Sequence, residues 1–256
     1  FSTFSTSREK SDLDGDGDLD LVVLNTVEVS NFTAFNDGES ISVLLNDGNA
    51  GFATQVDYTI GSGIEDAASG DLDGDGDLDL AVVNRRTDSI SLLFNDGNGN
   101  FDTSELLTNV SPNPIRVTLE DLNNDGNLDL ITNNFSSSGR VYVFLSNGDG
   151  TFAQRASYNT PGYPNRSNAF DFDLDGDLDI GTNHAVVFLG NETTEGNKFS
   201  VLRNNGDGTF TSPITVEVGN FPVSSVVADL DGDGDVDTVT SNGDDDTISV
   251  LKNEII

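Results

Sequence analysis

Apolar and polar residues alternate with a period of two along most of this chain, and no stretch keeps the spacing of an amphipathic helix. Ile41–Leu45, Ile90–Phe94, Val141–Leu145, Phe199–Arg203 and Ile248–Lys252 read as half-buried strands. A second set is nearly all apolar or β-branched: Leu19–Leu24, Leu78–Val83, Leu128–Thr132, Leu178–Thr182 and Val236–Thr240. The apolar runs Leu21–Leu24 and Leu80–Val83 suit strands covered on both faces. Short extended segments precede this set, at Arg8–Ser11, Ala67–Gly70, Val117–Glu120, Ser167–Phe170 and Ser225–Ala228. After the alternating strands come Gly-, Asn- and Asp-rich turns that close on Phe52, Phe101, Phe152 and Phe210. Their glycines supply the positive φ angles that tight hairpins need. A fourth extended stretch follows, as at Thr54–Ile60 and Ile214–Val218.

Between the first and second strands of each group stands one nine-residue acidic phrase, starting at Asp12, Asp71, Asp121, Asp171 and Asp229, with starts 59, 50, 50 and 58 residues apart. That period marks a repeat architecture. One four-stranded sheet of about fifty residues cannot bury both its faces, and radial stacking of such sheets solves the problem. The expectation is all-β: a single five-bladed β-propeller domain over residues 1–256, with repeats starting near residues 5, 64, 114, 164 and 222. Each blade has four antiparallel strands, with a calcium loop between strands 1 and 2. A linear β-solenoid fits less well, because its repeats are usually shorter and lack this hairpin punctuation. The fifth unit reaches Ile256 after its third strand. The last blade is therefore expected to lack a fourth strand, to borrow Phe1–Phe4, or to have lost residues upstream.

Charge gives the repeat its chemistry. The chain carries 45 acids against 11 Lys and Arg, a formal net charge of -34, and 23 of the acids stand in the five phrases. Positions 1, 3 and 5 offer oxygen ligands, Gly at position 6 permits a sharp turn, position 7 offers its carbonyl, and position 9 closes the shell. The candidate ligands are Asp12, Asp14, Asp16, Asp18 and Asp20; Asp71, Asp73, Asp75, Asp77 and Asp79; Asp121, Asn123, Asp125, Asn127 and Asp129; Asp171, Asp173, Asp175, Asp177 and Asp179; and Asp229, Asp231, Asp233, Asp235 and Asp237. An all-oxygen cage suits Ca²⁺, about five ions in all. The start of the phrase is like an EF-hand, but Val23, Val82, Thr132, Thr182 and Thr240 stand where that loop needs a bidentate Glu. Asn123 and Asn127 lower the charge of the third phrase, which is expected to be the loosest site.

Other classes recede. Nucleic acid needs a basic footprint that this chain lacks. No apolar run approaches a membrane span. With no Cys and one His there is no thiol chemistry, and no nucleophile elbow or His-Glu-x-x-His motif is present, so no enzyme is expected. The chain opens at Phe1 without Met and reads as a trimmed segment of an exported protein, extracellular or at the cell surface, where calcium is abundant.

The Asp phrase, its place between strands and the Asn-x-Gly-x-Gly-x-Phe turns resemble the FG-GAP/VCBS-type repeats also seen in integrin α-chain heads. The resemblance covers almost the whole chain. It implies a calcium-bearing β-propeller used in adhesion, carbohydrate binding or scaffolding.

The ligand side should lie opposite the calcium loops. The segment after the second strand spans 16 residues from Asn25 to Ile41 and 15 from His184 to Phe199, against six or seven elsewhere. Asn25, Asn84, Asn134, His184 and Asn242 share one position. They either form a polar ring or make strand-end turns. Arg85, Arg86, Arg116 and Arg166, with His184, are candidates to hold an anionic glycan; salt bridges to surplus acids are the plainer reading. Tyr163 could offer a stacking face. Two functions stay open: a binding or adhesion module for a glycan or surface protein, and a structural subunit or spacer of a larger chain or assembly. A polysaccharide-acting enzyme ranks last.

Overall fold

The computed structural model describes residues 3–27, 38–49, 51–101, 103–153, 155–184, 188–189, 192–193 and 196–254. Much of the long segments after Asn25 and after His184 lies outside the described residues, as do Phe1 and Ser2.

The strands run in chain order through five sheets. The first sheet is β1 (Thr3–Ser11), β2 (Asp20–Val27), β3 (Ser40–Leu44) and β4 (Val56–Thr59). The second is β5 (Ile64–Gly70), β6 (Asp79–Asn84), β7 (Ser89–Phe94) and β8 (Thr103–Thr108), with a 3₁₀ turn at Arg85–Thr87 between its middle strands. The third is β9 (Pro114–Glu120), β10 (Asp129–Asn134), β11 (Arg140–Phe144) and β12 (Ala156–Asn159). A two-stranded hairpin, β15 (Phe188–Leu189) and β16 (Glu192–Thr193), interrupts the fourth sheet, which is β13 (Pro164–Phe170), β14 (Asp179–His184), β17 (Lys198–Leu202) and β18 (Ile214–Glu217). The fifth has three strands: β19 (Pro222–Ala228), β20 (Asp237–Asn242) and β21 (Thr247–Leu251). The pairing is antiparallel, as between β5 and β6 or β20 and β21.

Two expectations need correction. Four strands per repeat does not hold for the fifth sheet among the described residues. Nor is the start of the chain lent to it: Thr3 and Phe4 pair with Val27 and Thr26 inside the first sheet. The second strands begin one residue later than the apolar runs suggested and extend past them, because the closing Asp of each phrase is the first residue of the strand. Full burial of β6 matches its apolar run, while β10 and β14 are as fully buried although Asp, Asn and His make up half of each.

Contacts divide the chain into two compact units, Phe1–Leu119 with Ser146–Ala153, and Glu120–Leu145 with Gln154–Ile256. Leu13, Val22, Leu24, Ile41, Val82 and Phe101 belong to the core of the first. Leu122, Ile131, Val141, Ile180, Leu202 and Phe210 belong to that of the second. Each unit repeats the same joint between successive sheets. In the first, Tyr58 of β4 meets Phe101 edge to face at 5.6 Å between ring centres, and the Phe101 N–H donates to the Tyr58 hydroxyl. In the second, Tyr158 of β12 meets Phe210 at 5.4 Å with the same N–H···Oη bond. Each ring pair, buried at its Phe and half-buried at its Tyr, adds about 1 kcal/mol beyond its area.

Candidate metal centres

Each acidic phrase folds into a tight loop because its carboxylates bond its own backbone. The position-1 carboxylate accepts the position-6 N–H in all five: Gly17 to Asp12, Gly76 to Asp71, Gly126 to Asp121, Gly176 to Asp171 and Gly234 to Asp229. Position 5 accepts the N–H of position 7, as from Asp18 to Asp16 and from Asp177 to Asp175. Position 6 is left-handed throughout, φ 94° at Gly76 for instance, which favours glycine strongly. Position 4 is left-handed as well, and there Leu174 and Asn124 (φ 58° each) stand in place of glycine.

The ninth-position Asp is the anchor. Asp20, Asp79, Asp129, Asp179 and Asp237 are wholly buried. In each, one oxygen accepts the N–H of position 2, as from Leu72 to Asp79 at 2.9 Å and from Leu230 to Asp237 at 3.0 Å. The other oxygen accepts the first N–H of the turn after the third strand, as from Asn46 to Asp20, Asn95 to Asp79, Asn204 to Asp179 and Asn253 to Asp237. Burial pushes the carboxyls of Asp79 and Asp179 up to about 6, although these N–H bonds oppose the shift. Burial also raises Asp14, Asp73 and Asp173, with neighbouring carboxylates adding to the effect.

Carboxylate oxygens converge within 4.8 Å of one another in four groups: Asp12, Asp14 and Asp20; Asp71, Asp73 and Asp79; Asp171, Asp173 and Asp175; and Asp229, Asp231 and Asp237. Asp12 Oδ1, Asp171 Oδ1 and Asp173 Oδ1 are buried and accept no hydrogen bond. Inward-facing carboxylate oxygens with no donor are what a hard cation would satisfy, so the donor set fits one. The third phrase does not form such a carboxylate group. Asn123 donates its amide to Asp125 at 3.0 Å, and Asn124 donates to Asp177 at 2.7 Å.

Two cations that the sequence did not single out reach these loops. Arg203 lies 3.4 Å from Asp173, and Lys252 lies 2.7 Å from Asp231. A second omission is the turn Asn. Asn95 donates its amide to the Leu13 carbonyl at 2.7 Å as well as to Leu78 in its own loop at 3.0 Å. Asn204 does the same to Leu122 and Leu178, and Asn253 reaches Phe172. Each thus ties its sheet to the preceding acidic loop. The recurring Asn at the end of the third strand was the available signal.

The proposed ligand groups have partners of their own. Arg85 pairs with Glu65 at 3.0 Å, and Arg116 donates to the Ile115 carbonyl. Arg86 packs its side chain beside Gly63. Arg166 is exposed and lines a cleft of about 490 Å³ with Asn168, Phe170 and Ser224–Val227. His184 is fully buried, its Nε2 2.8 Å from Ser200 Oγ, and burial lowers its pKa to about 4. The shared position joins strands: Asn25 bonds Ser40 and Ser42, Asn84 bonds Ser89 and Ser91, and Asn242 bonds Thr247 and Ser249. Asn134 accepts the Arg140 N–H. The strand-end reading describes them. Tyr163 is buried and meets Phe135 edge to face.

No curated protein matches the chain. Among solved structures, a lectin of Agrocybe aegerita described as recognising non-reducing terminal N-acetylglucosamine shares the fold at TM-score 0.59 and 21% identity. The alignment covers 97% of this chain and 66% of that one. The V. cholerae biofilm matrix protein Bap1 aligns at TM-score 0.61 and 20% identity, over 98% of this chain and 38% of that one. This chain therefore spans just under two thirds of the first structure and well under half of the second. The sequence profile of the FG-GAP-like repeat matches residues 12–82, 71–132, 121–182 and 186–240. Those matches take in each acidic phrase and most of the chain, and the chain belongs to the FG-GAP-like repeat family.

Proposed function

We propose that this chain is a calcium-stabilised β-propeller module that acts outside the cell in adhesion or carbohydrate binding. The observation that carries the reading is the repeated convergence of carboxylates within single loops. Uncompensated, those charges repel; a cation in each loop turns repulsion into a tie between two strands. Ca²⁺ suits these loops better than Mg²⁺ because their oxygens sit on a flexible turn, not in an octahedral cage. The five sheets serve as successive blades. Support comes from the joint that recurs within each unit: an Asn amide on the preceding acidic loop, and a Tyr–Phe ring pair.

The lectin and the matrix protein of like fold favour a glycan or a surface partner, and with it an extracellular setting. No helix among the described residues is long and apolar enough to cross a membrane. The ligand class in this reading is an anionic glycan. Arg166 is the leading contact, since its guanidinium is exposed at a cleft that also offers Asn168 and Phe170. The reading assigns no catalytic residue. Removing calcium is its first test. At free calcium a hundredfold above Kd, each site contributes about 2.7 kcal/mol, so chelation should lower the melting temperature steeply. An unchanged melt in excess EDTA would end the calcium reading. A glycan array without calcium-dependent binding, or with Arg166→Ala neutral, would end the glycan reading.

A further inference from the structure

Two of the joints between successive sheets are closed by a tyrosine on the last strand of the earlier sheet. Tyr58 pairs with Ile41 and Tyr158 with Val141, and each ring packs edge to face on the Phe of the following turn, Phe101 or Phe210. On β8 the equivalent residue, opposite Ile90, is Leu107. The turn of the next repeat ends on Phe152, and Ser146–Ala153 belongs to the same compact unit as the second sheet. Leucine has neither a ring to lay on Phe152 nor a hydroxyl to accept its N–H.

The space a tyrosine would fill is present as a cleft of about 170 Å³, lined by Leu92, Leu107, Thr151 and Phe152, with Glu105 beside them. Phe152 is half-buried, where Phe101 and Phe210 are 4% and 7% exposed. Its N–H stands outside the ladder of its own turn. Ser146 and Phe152 face each other across a bridge whose bond runs from the Asn147 N–H to the Thr151 carbonyl, the same pattern as at Asn204 and Phe210. The N–H groups of Phe101 and Phe210 donate to tyrosine hydroxyls at 3.3 and 3.2 Å. Among the described residues, that of Phe152 meets no acceptor and its ring meets no other ring.

An apolar cavity of about 150 Å³ is enough to admit a benzene ring. The two filled joints show what else this place offers, a backbone donor aimed at a phenolic oxygen. Glu105 adds a charge. It lies cross-strand from Leu92, where the first and third sheets have Val56 and Ala156 opposite Val43 and Val143. A carboxylate there, in a chain of net charge -34, favours a cationic substituent over an anionic one.

We infer that this cleft is a binding site for a para-substituted phenol with a cationic substituent. The ring takes the place that Tyr58 and Tyr158 fill at their own joints, edge to face on Phe152. Its hydroxyl accepts the Phe152 N–H, and the cationic group on the opposite carbon of the ring faces Glu105. The site goes beyond the adhesion reading and does not depend on it.

Titration of the whole chain with tyramine, followed by NMR at the Phe152 amide and the Leu107 methyl groups, tests the inference. Both signals should shift and saturate with a Kd on the order of 1 mM. 2-Phenylethylamine, which lacks only the hydroxyl, should bind about fivefold more weakly. Glu105→Gln should weaken tyramine about two- to fivefold, as for an exposed pair. The decisive variant is Leu107→Tyr. It supplies the ring that β4 and β12 already use, so it should abolish tyramine binding and raise the melting temperature; Leu107→Phe serves if Leu107→Tyr does not fold. Undiminished tyramine binding in that variant would overturn the placement of the ring. Equal affinity for 2-phenylethylamine would overturn the phenol assignment. The absence of any saturable shift at Phe152 or Leu107, at ten times the expected Kd, would overturn the proposal.

Discussion

Replacing Asn95 by Ala isolates what the turn Asn does at the joint between sheets. Its side chain, 6% exposed, makes four bonds to backbone. The amide donates to Leu13 at 2.7 Å and Leu78 at 3.0 Å, and the oxygen accepts from Gly97 at 3.2 Å and Gly99 at 3.0 Å. At about 1 kcal/mol for each bond, with part recovered by water at the more open Gly97, the loss is about 3 kcal/mol. Asn46 provides an internal control. It has the same place in the repeat, and among the described residues it bonds Leu19 and Gly48, both contacts solvent-exposed. Asn46→Ala should cost about 1 kcal/mol. Asn204→Ala, with four bonds to Leu122, Leu178, Gly206 and Gly208, should match Asn95→Ala. Urea unfolding in saturating calcium measures all three, with comparison at constant m. For a chain of this size the larger losses lower Tm by about 6–12 °C. Equal losses at positions 46, 95 and 204 would refute the account, because the residue type would then matter and the contact with the preceding loop would not.

Burial raises the Asp79 and Asp179 carboxyls from 3.8 to about 6, which fixes the sign of a pH effect in calcium-free protein. Their contribution to stability is complete below about pH 4 and is lost as pH rises through about 6, since ionising a buried carboxylate then opposes folding. Asp79→Asn should flatten the fall in Tm between pH 4 and 7 in protein dialysed free of calcium; a steeper fall in the variant would contradict this. The Lys252 ammonium, 2.7 Å from Asp231, competes with any cation in the fifth loop. Lys252→Leu should tighten the weakest step of a calorimetric calcium titration by about two- to fivefold, the range expected of an exposed pair, while a looser step would count against the competition. Leu174 is left-handed at φ 58° and 54% exposed, so it bears backbone strain with little packing in return. Leu174→Gly should stabilise the protein by about 0.5–1 kcal/mol after the entropy gained by the unfolded chain, read as a rise in Tm.

What the sequence made legible is what is local. An acid ladder with glycine at the sixth position, followed at once by a β-branched run, dictates a turn entering a strand, and all five second strands begin at the ninth-position Asp. The burial of β6 on both faces could be read from its apolar run Leu80–Val83, whereas the equally apolar Leu21–Leu24 alternates between buried and half-buried, and β10 and β14 are wholly buried although half their residues are Asp, Asn or His. Other features were not local. Asp79 looks like one more ligand in the sequence, but its two oxygens hold the N–H groups of Leu72 and Asn95, seven residues before it and 16 after it. The Asn95–Leu13 bond spans 82 residues, and no window on one repeat contains both partners. His184 stood out because it breaks a series of Asn, yet it does what Asn84 does, bonding a hydroxyl on the next strand. A break in a repeat signals a change of side chain, and only the packing shows whether the task has changed.

The third repeat shows how the joint tolerates such a break. At the position of Asn46, Asn95, Asn204 and Asn253 it has Ser146. A serine is too short to span from its own turn to the preceding loop. Its hydroxyl still accepts the Gly148 N–H at 3.1 Å, as Asn95 accepts that of Gly97. It does not hold the next glycine of the turn, whose counterpart Gly99 bonds Asn95. That glycine is Gly150, and its freed N–H donates to the Leu72 carbonyl at 3.0 Å. Backbone thus replaces side chain at the same acceptor. The requirement running through the repeats is a donor for the buried carbonyl at position 2, not an asparagine, because an orphaned carbonyl there costs about as much as the bond it forgoes. Leu230 meets no such donor among the described residues, and it is the position-2 residue that water reaches, 52% exposed where Leu13, Leu72, Leu122 and Phe172 are at most 7%.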